Sequence, residues 1–192
     1  MTKRILIING NPARERISFS EALANSYIEG AKNSGHEIKQ IEIAKLNFDP
    51  ILHEGYEGNQ SPEPDLIDAQ EKVIWAEHVV FIYPMWQFNI PALLKGFCER
   101  AFVAGFAYDV NAKNPLDVSL LKGRSGRIIQ TMGMPGVLYD MMFGAHGGKS
   151  FKSMLGFAGI KPVRTSYLGM IDDKKSREKH LTLAFKLGEK AK

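Results

Sequence analysis

Residues 5–8 read Ile-Leu-Ile-Ile and residues 79–83 read Val-Val-Phe-Ile-Tyr, two unbroken apolar runs of four and five residues. A strand with one wet face alternates apolar and polar residues. A short continuous run rich in branched and aromatic side chains is instead the pattern of a strand covered on both faces, as in a parallel sheet. Runs this short also fall far below the roughly 20 apolar residues that a membrane-spanning helix needs. Parallel strands require crossover connections, and the sequence supplies amphipathic helical stretches between them.

The reading along the chain is strand 5–8, helix 18–33, strand 36–43, helix 65–78, strand 79–83, a helix to about Phe102, strand 127–131, helix 150–157, strand 163–168 and helix 173–187. Leu66, Ala69, Val73 and Ala76, with Ile74 beside them, form the expected buried stripe of the second helix. Pro91 suits the first turn of the third. Strict alternation of strand and helix specifies an α/β fold, a doubly wound five-stranded parallel sheet with helices on both faces. The 192 residues, 44% apolar and 24% charged, fit one folded domain over residues 1–192 and exclude a disordered chain.

Cys98 is the only cysteine, which excludes an intrachain disulfide and a cysteine-type metal centre and fits a reducing compartment. Its place inside an apolar helix reads as a buried small residue. The formal charge is +4, with the cations dispersed apart from Lys174, Lys175, Arg177 and Lys179. That cluster reads as a solvated helix face rather than a nucleic-acid patch. The N-terminus passes directly into the first strand with no separate signal-peptide core, so the expected location is the cytoplasm.

Ligands of open α/β sheets bind beyond the C-terminal ends of the strands, which directs attention to the loops after Ile8, Tyr83 and Thr131. The first runs Asn9-Gly10-Asn11-Pro12-Ala13-Arg14-Glu15-Arg16-Ile17-Ser18-Phe19-Ser20 and opens a helix, a setting in which free N–H groups and the helix dipole favour a phosphate. Ser18 serves equally as a plain N-cap. Neither G-x-G-x-x-G nor a Walker sequence is present; the stretch from Gly144 to Ser150 has its glycines one residue too close and no strand before it.

The second loop, Tyr83-Pro84-Met85-Trp86-Gln87-Phe88-Asn89-Ile90-Pro91, offers aromatic surface for a planar ligand and amides for its edge, although Trp86 and Phe88 also suit a simple cover over the sheet end. The third, Thr131-Met132-Gly133-Met134-Pro135-Gly136, allows close backbone approach at Gly133 and leads to Tyr139 and His146, potential proton donors. Together the loops ask for a phosphate at one end and a flat, polar-edged ring at the other, which describes a flavin.

The sequence from Phe81 through Pro91 to Phe97, continuing over Glu99-Arg100-Ala101-Phe102 and Gly105-Phe106-Ala107-Tyr108, resembles the flavodoxin-like NAD(P)H:quinone oxidoreductases, the DT-diaphorase group with its smaller bacterial relatives. Ser18-Phe19-Ser20 and Gly159-Ile160-Lys161-Pro162-Val163 support the resemblance. It implies that Ser18, Phe19 and Ser20 hold the flavin phosphate and that Pro84, Met85, Trp86, Gln87 and Phe88 line the ring. Thr131, Gly133 and Met134 would contact its polar edge. Tyr139 and His146 match the pair that faces the flavin pyrimidine side as catalytic donors. Tyr108 and Phe157 match aromatics that shape the substrate pocket across a homodimer interface. Phe97, Phe102 and Phe106 offer more aromatic surface near that edge than a monomer needs, although the periodicity equally permits all three to be core.

The implied activity is a two-electron, ping-pong transfer of hydride from NAD(P)H through flavin N5 to a quinone or similar flat acceptor. FMN is the expected cofactor, with FAD as the alternative, because the chain lacks the C-terminal extension of the larger FAD enzymes while its phosphate loop would serve either. Three departures stand out. The family usually has Thr-Thr-Gly-Gly where this chain has Thr131-Met132-Gly133-Met134, the common tryptophan before the phenylalanine is Gln87, and the Tyr139–His146 spacing is one residue longer than in the animal enzymes. Trp86-Gln87-Phe88 leans towards the azoreductases, which brings azo and nitro compounds in as alternative acceptors. The other alternative is a flavin-binding accessory subunit of a potassium efflux antiporter, docked on a membrane transporter through the basic C-terminal helix.

Overall fold

The computed structural model describes residues 2–13, 18–56, 58, 60–114 and 117–192. In chain order the elements are β1 (Arg4–Asn9), α1 (Phe19–Asn33), β2 (Glu37–Glu42), a 3-10 turn (Ile43–Lys45), α2 (Pro64–Trp75), β3 (His78–Pro84), α3 (Ala92–Ala101), β4 (Ser125–Thr131), α4 (Gly136–Phe143), α5 (His146–Ala158), β5 (Val163–Leu168) and α6 (Lys174–Glu189). The five strands form one sheet in the order β2-β1-β3-β4-β5, every pair parallel. The expected doubly wound sheet is therefore what forms.

The two apolar runs are its centre. Val79, Val80, Phe81, Ile82 and Tyr83 are fully buried, as are Ile5, Leu6 and Ile8. Successive residues point to opposite faces. Leu6, Ile8, Val79 and Phe81 pack under α2, α3 and α5 through Leu66, Leu94, Phe97 and Leu155. Ile5, Ile7, Val80 and Ile82 pack under α1 and α6 through Leu23, Tyr27 and Ala184.

The structure corrects several boundaries. The second helix, expected to continue to residue 78, stops at Trp75: Ala76 takes an extended conformation and the Glu77 N–H donates to the Arg4 carbonyl at 2.9 Å, which draws the chain into the sheet. His78 consequently begins β3. Ile74 faces outward and is 52% exposed, so it is not part of the buried stripe. α5 begins at His146 rather than near Ser150, and α4 occupies what had been read as loop. Pro91 stands one residue before α3, as its N-cap. Phe97 and Phe102 are buried and Phe106, partly buried, packs edge-on against Phe102, so of the two readings the core placement is what the structure shows for Phe97 and Phe102, with Phe106 at its edge. Cys98 is buried as expected, and burial pushes its thiol pKa up. Among the described residues no helix is long and apolar enough to cross a membrane.

Candidate functional site

The order in which strands are added reverses between β1 and β3: β2 lies outside β1 on one side, while β3, β4 and β5 extend the sheet on the other. Helices connected in opposite senses leave a crevice at that point. The three loops singled out in the sequence all leave the sheet at this end.

In the first loop Arg14, Glu15, Arg16 and Ile17 lie outside the described residues. Ser18 is the N-cap of α1, its Oγ accepting from the Glu21 N–H at 3.1 Å, and the first intrahelical bond runs from Ala22 to the Ser18 carbonyl. The N–H groups of Phe19 and Ser20 have no carbonyl within the helix to pair with, as at any helix start. The bland cap and the phosphate reading thus coexist, since capping by Ser18 uses only one donor. The Gly10 N–H donates to the Ile82 carbonyl at 2.8 Å, and a Cβ on Gly10 would sit 2.7 Å from a Leu94 methyl and 3.1 Å from the Tyr83 Cβ, so a side chain there would have to displace Leu94. Sequence reasoning had treated Arg177 as part of a solvated face; its guanidinium carbon lies 4.7 Å from the Phe19 ring centroid and brings a cation to this rim. The fold of α6 over α1, invisible in local sequence, creates that pairing.

The second loop is a tight hairpin. Trp86 and Asn89 exchange both backbone hydrogen bonds, at 3.0 and 2.9 Å. Gln87 and Phe88, the two residues between, have φ of 48° and 61°. Two-residue hairpins of this kind normally use Asn or Gly, and left-handed backbone costs other residues about 1–2 kcal/mol each. Three neighbours hold the turn. The Met85 N–H donates to the Thr131 carbonyl at 2.7 Å, tying this loop to the third. The Tyr139 hydroxyl donates to the Phe88 carbonyl at 3.1 Å. Gly147, in the first turn of α5, abuts the same carbonyl: a Cβ there would lie 2.5 Å from it. The restraint leaves Trp86 and Phe88 about half exposed, at 48% and 49%, two large apolar surfaces presented to solvent beside the crevice.

In the third loop Gly133 is exposed and Met134 half-buried, but Thr131 is buried, so a ligand would meet its backbone before its side chain. Asp172, unmarked by any sequence signal, stands beside Gly133, where a Cβ would be 3.5 Å from its Oδ2. Tyr139 is fully buried and its one hydroxyl hydrogen serves Phe88, which makes it a residue that positions the turn in this structure. His146 is exposed at the start of α5 and shares a recess of about 370 Å³ with Phe88, Tyr139 and Phe143.

Tyr108 and Phe157 come together, with ring centroids 4.9 Å apart. Burial, the main cause, raises the Tyr108 pKa. A cleft of about 740 Å³ runs from Trp86 and Gln87 past Phe151 to Tyr108. Its far wall includes Tyr56, on the Pro- and Gly-containing loop before α2, where the sequence marks a loop but no site residue. That loop is anchored by Arg100, buried in α3, which donates to the carbonyls of Asp49, Gln60 and Ser61 at 3.1, 3.3 and 3.2 Å and to Glu63 Oε2 at 2.6 Å. The geometry offers anion donors at a helix start, an exposed aromatic platform, a bare backbone edge and an adjoining apolar cleft. These fit a flavin phosphate and ring followed by a second flat molecule.

The family model Flavodoxin_2, described as a flavodoxin-like fold, matches residues 3–186. The chain is 28% identical over 195 residues to NAD(P)H dehydrogenase (quinone) 1 of Rattus norvegicus, covering 87% of this chain and 70% of the rat protein. It is 27% identical over 190 residues to FMN-dependent NADH:quinone oxidoreductase 3 of Bacillus anthracis, covering 88% of this chain and 87% of that protein. Among solved structures, NAD(P)H:quinone oxidoreductase from Methanothermobacter marburgensis superposes with a TM-score of 0.78 at 26% identity, covering 100% of both chains. Matched from its third residue into its last helix, the chain belongs to the Flavodoxin_2 family of flavodoxin-like fold.

Proposed function

We propose that this protein is a flavin-dependent oxidoreductase that uses NAD(P)H to reduce quinones or similar flat acceptors, with residues 1–192 acting as one FMN-binding unit. The observation that carries the reading is the restrained Gln87–Phe88 turn, which holds Trp86 and Phe88 open to solvent at the same end of the sheet from which the loop to α1 leaves. A core-covering loop would bury those rings. The names of the similar proteins, NAD(P)H dehydrogenase (quinone) and FMN-dependent NADH:quinone oxidoreductase, support the same chemistry.

In this reading Ser18, Phe19 and Ser20 receive the phosphate, aided by the dipole of α1. Pro84, Met85, Trp86, Gln87 and Phe88 hold the ring, and Gly133 with Met134 and the Thr131 backbone meets its polar edge. His146 donates to the charge that develops there, a preorganised contribution of the kind enzymes rely on, while Tyr139 fixes the turn. Bound FMN supplies the hydride-accepting centre; the protein positions it and excludes water. Tyr108 and Phe157 flank the acceptor. The overall balance is NAD(P)H + H⁺ + quinone → NAD(P)⁺ + hydroquinone. A homodimer is part of the reading: α4 exposes Val137, Leu138, Met141 and Met142 side by side, apolar surface suited to a second copy.

The test is steady-state turnover. FMN-loaded protein is expected to oxidise NADH or NADPH in step with menadione reduction, and apoprotein is expected to do neither. Absence of acceptor-dependent oxidation by the loaded protein with both nucleotides overturns the proposal.

A further inference from the structure

Among the described residues two arginines are buried, Arg100 at 2% and Arg127 at 6% exposure. Arg100 has four acceptors around it, three carbonyls and the Glu63 carboxylate. Arg127, in β4, has one: its Nη1 donates to Ser166 Oγ at 3.0 Å, and its buried Nε has no partner among the described residues. A guanidinium keeps its charge inside a protein, and a charge taken out of water without a counter-charge is strongly unfavourable. The neighbouring strand adds to the imbalance. Arg164 of β5 stands opposite Arg127 in the register, on the same face of the sheet, with the two backbones about 5 Å apart. Like charges so placed repel. Arg164 is exposed, and neither arginine forms an ion pair among the described residues. We propose that this face of β4 and β5 binds a small oxyanion, phosphate or sulfate, held between Arg127 and Arg164 with the Tyr27 hydroxyl as a further donor.

Three further observations point to an anion. The first is a second orphaned donor. The Tyr27 hydroxyl, from α1, is fully buried, has no hydrogen-bond partner among the described residues and feels the charge of Arg127. Tyr27 packs in the same layer as Val80 and Ile129, which flank Arg127 on that face. The second is the local field. The charges that act on buried His78, diagonal to Arg127 in the register, are those of Lys3, Arg127 and Arg164, all positive. Burial chiefly, and the like charge of Arg164, pull the Arg127 pKa down. A bound anion relieves both effects. The third is access. β5 is the edge strand, Arg164 is exposed and Ser166 half-buried, so a ligand reaches Arg127 from solvent past the sheet edge. The planar guanidinium fork matches an oxyanion with two parallel bonds, a pairing a spherical halide does not offer. This site is separate from the flavin phosphate at the start of α1. Arg127 precedes Thr131 by four strand residues, about 13 Å, and Tyr27 follows Ser18 by nine positions along α1, about 14 Å. An anion there ties α1 to β4 and β5, the elements that carry the first and third loops.

The experiment follows thermal unfolding of the FMN-loaded protein, whose α1 phosphate site is then filled, in HEPES near neutral pH with sodium phosphate or sodium chloride added to equal ionic strength. Phosphate at tenfold its half-saturating concentration is expected to raise the melting temperature by about 3–6 °C over chloride. Arg127→Met is expected to reverse the order of stabilities. In chloride the variant unfolds no earlier than the unaltered protein, because an unpaired buried charge has given way to an apolar chain. In phosphate it unfolds earlier, because phosphate adds nothing to it. Arg164→Gln, at an exposed position, is expected to raise the half-saturating phosphate concentration at least threefold, and it decides the matter alone if Arg127→Met does not fold. Equal protection by chloride and phosphate overturns the inference, as does phosphate protection that survives these substitutions. Arg127→Met that unfolds earlier by the same amount in both salts makes the guanidinium purely structural and also overturns it. Failure of the protein to bind FMN overturns the reductase reading only, since the same comparison of variants then locates the anion in the apoprotein.

Discussion

The Tyr139 hydroxyl donates to the Phe88 carbonyl at 3.1 Å, so a fully buried side chain of α4 holds the conformation of the turn that follows β3. Two left-handed residues without glycine or asparagine persist only where their surroundings over-determine them. Tyr139→Phe removes the donor and keeps the ring. A hydrogen bond of this kind contributes about 1 kcal/mol. The expected result is a stability loss of that size in urea unfolding, several-fold weaker FMN binding, and a reduction rate of the bound flavin within about twofold of the unaltered protein. A large fall in that rate with unchanged FMN affinity would show that the hydroxyl acts on the ring instead.

Gly147 tests the other side of the same turn. Alanine there would bring a Cβ to 2.5 Å from the Phe88 carbonyl and 2.7 Å from the Asn89 Cα, both backbone atoms that cannot swing aside. Gly147→Ala is expected to destabilise by about 1–3 kcal/mol through overpacking and to weaken FMN binding. Gly156 is the control in the same helix. Its nearest neighbour is the flexible end of Lys161 at 3.6 Å, so Gly156→Ala should be neutral or stabilising by up to about 1 kcal/mol from helix propensity. Thermal unfolding of the two variants side by side separates close approach from helix propensity.

His78 provides a pH signature away from the site. It is buried at the start of β3, with Nδ1 at 2.8 Å from Ser125 Oγ. Burial chiefly, helped by the charges of Lys3, Arg127 and Arg164, lowers its pKa from 6.5 to about 3. The unfolded chain therefore takes up the proton first as pH falls. The contribution of the neutral ring is complete above about pH 6.5 and is lost progressively down to about pH 3, with a limiting slope of about 1.4 kcal/mol per pH unit. Urea unfolding between pH 4 and 7 should show one proton of this dependence, and His78→Gln should remove it.

What could be read in advance follows from which interactions are local. The apolar runs of β1 and β3 were legible because burial on both faces leaves a direct mark on composition. α4 was not: its eight residues are apolar nearly all round and follow Gly and Pro, so no amphipathic period separates it from a loop. The turn residues Gln87 and Phe88 were found as ring-lining candidates, but their positive φ was hidden, since neither is a residue that prefers it. Arg100 was quoted only as part of a motif. Its role as the anchor of the 49–63 loop depends on carbonyls 39 to 51 positions away and on the Glu63 carboxylate 37 positions away. Arg177 was assigned correctly to an exposed helix face, yet its approach to Phe19 requires knowing that α6 lies over α1.

The most direct test of the account is an anaerobic visible spectrum of the FMN-loaded protein before and after addition of NADH, and separately of NADPH. The account predicts that FMN co-purifies through gel filtration and that at least one nucleotide bleaches its visible absorption band, which then returns on addition of menadione. A flavin that stays bound and oxidised in the presence of both nucleotides would contradict it.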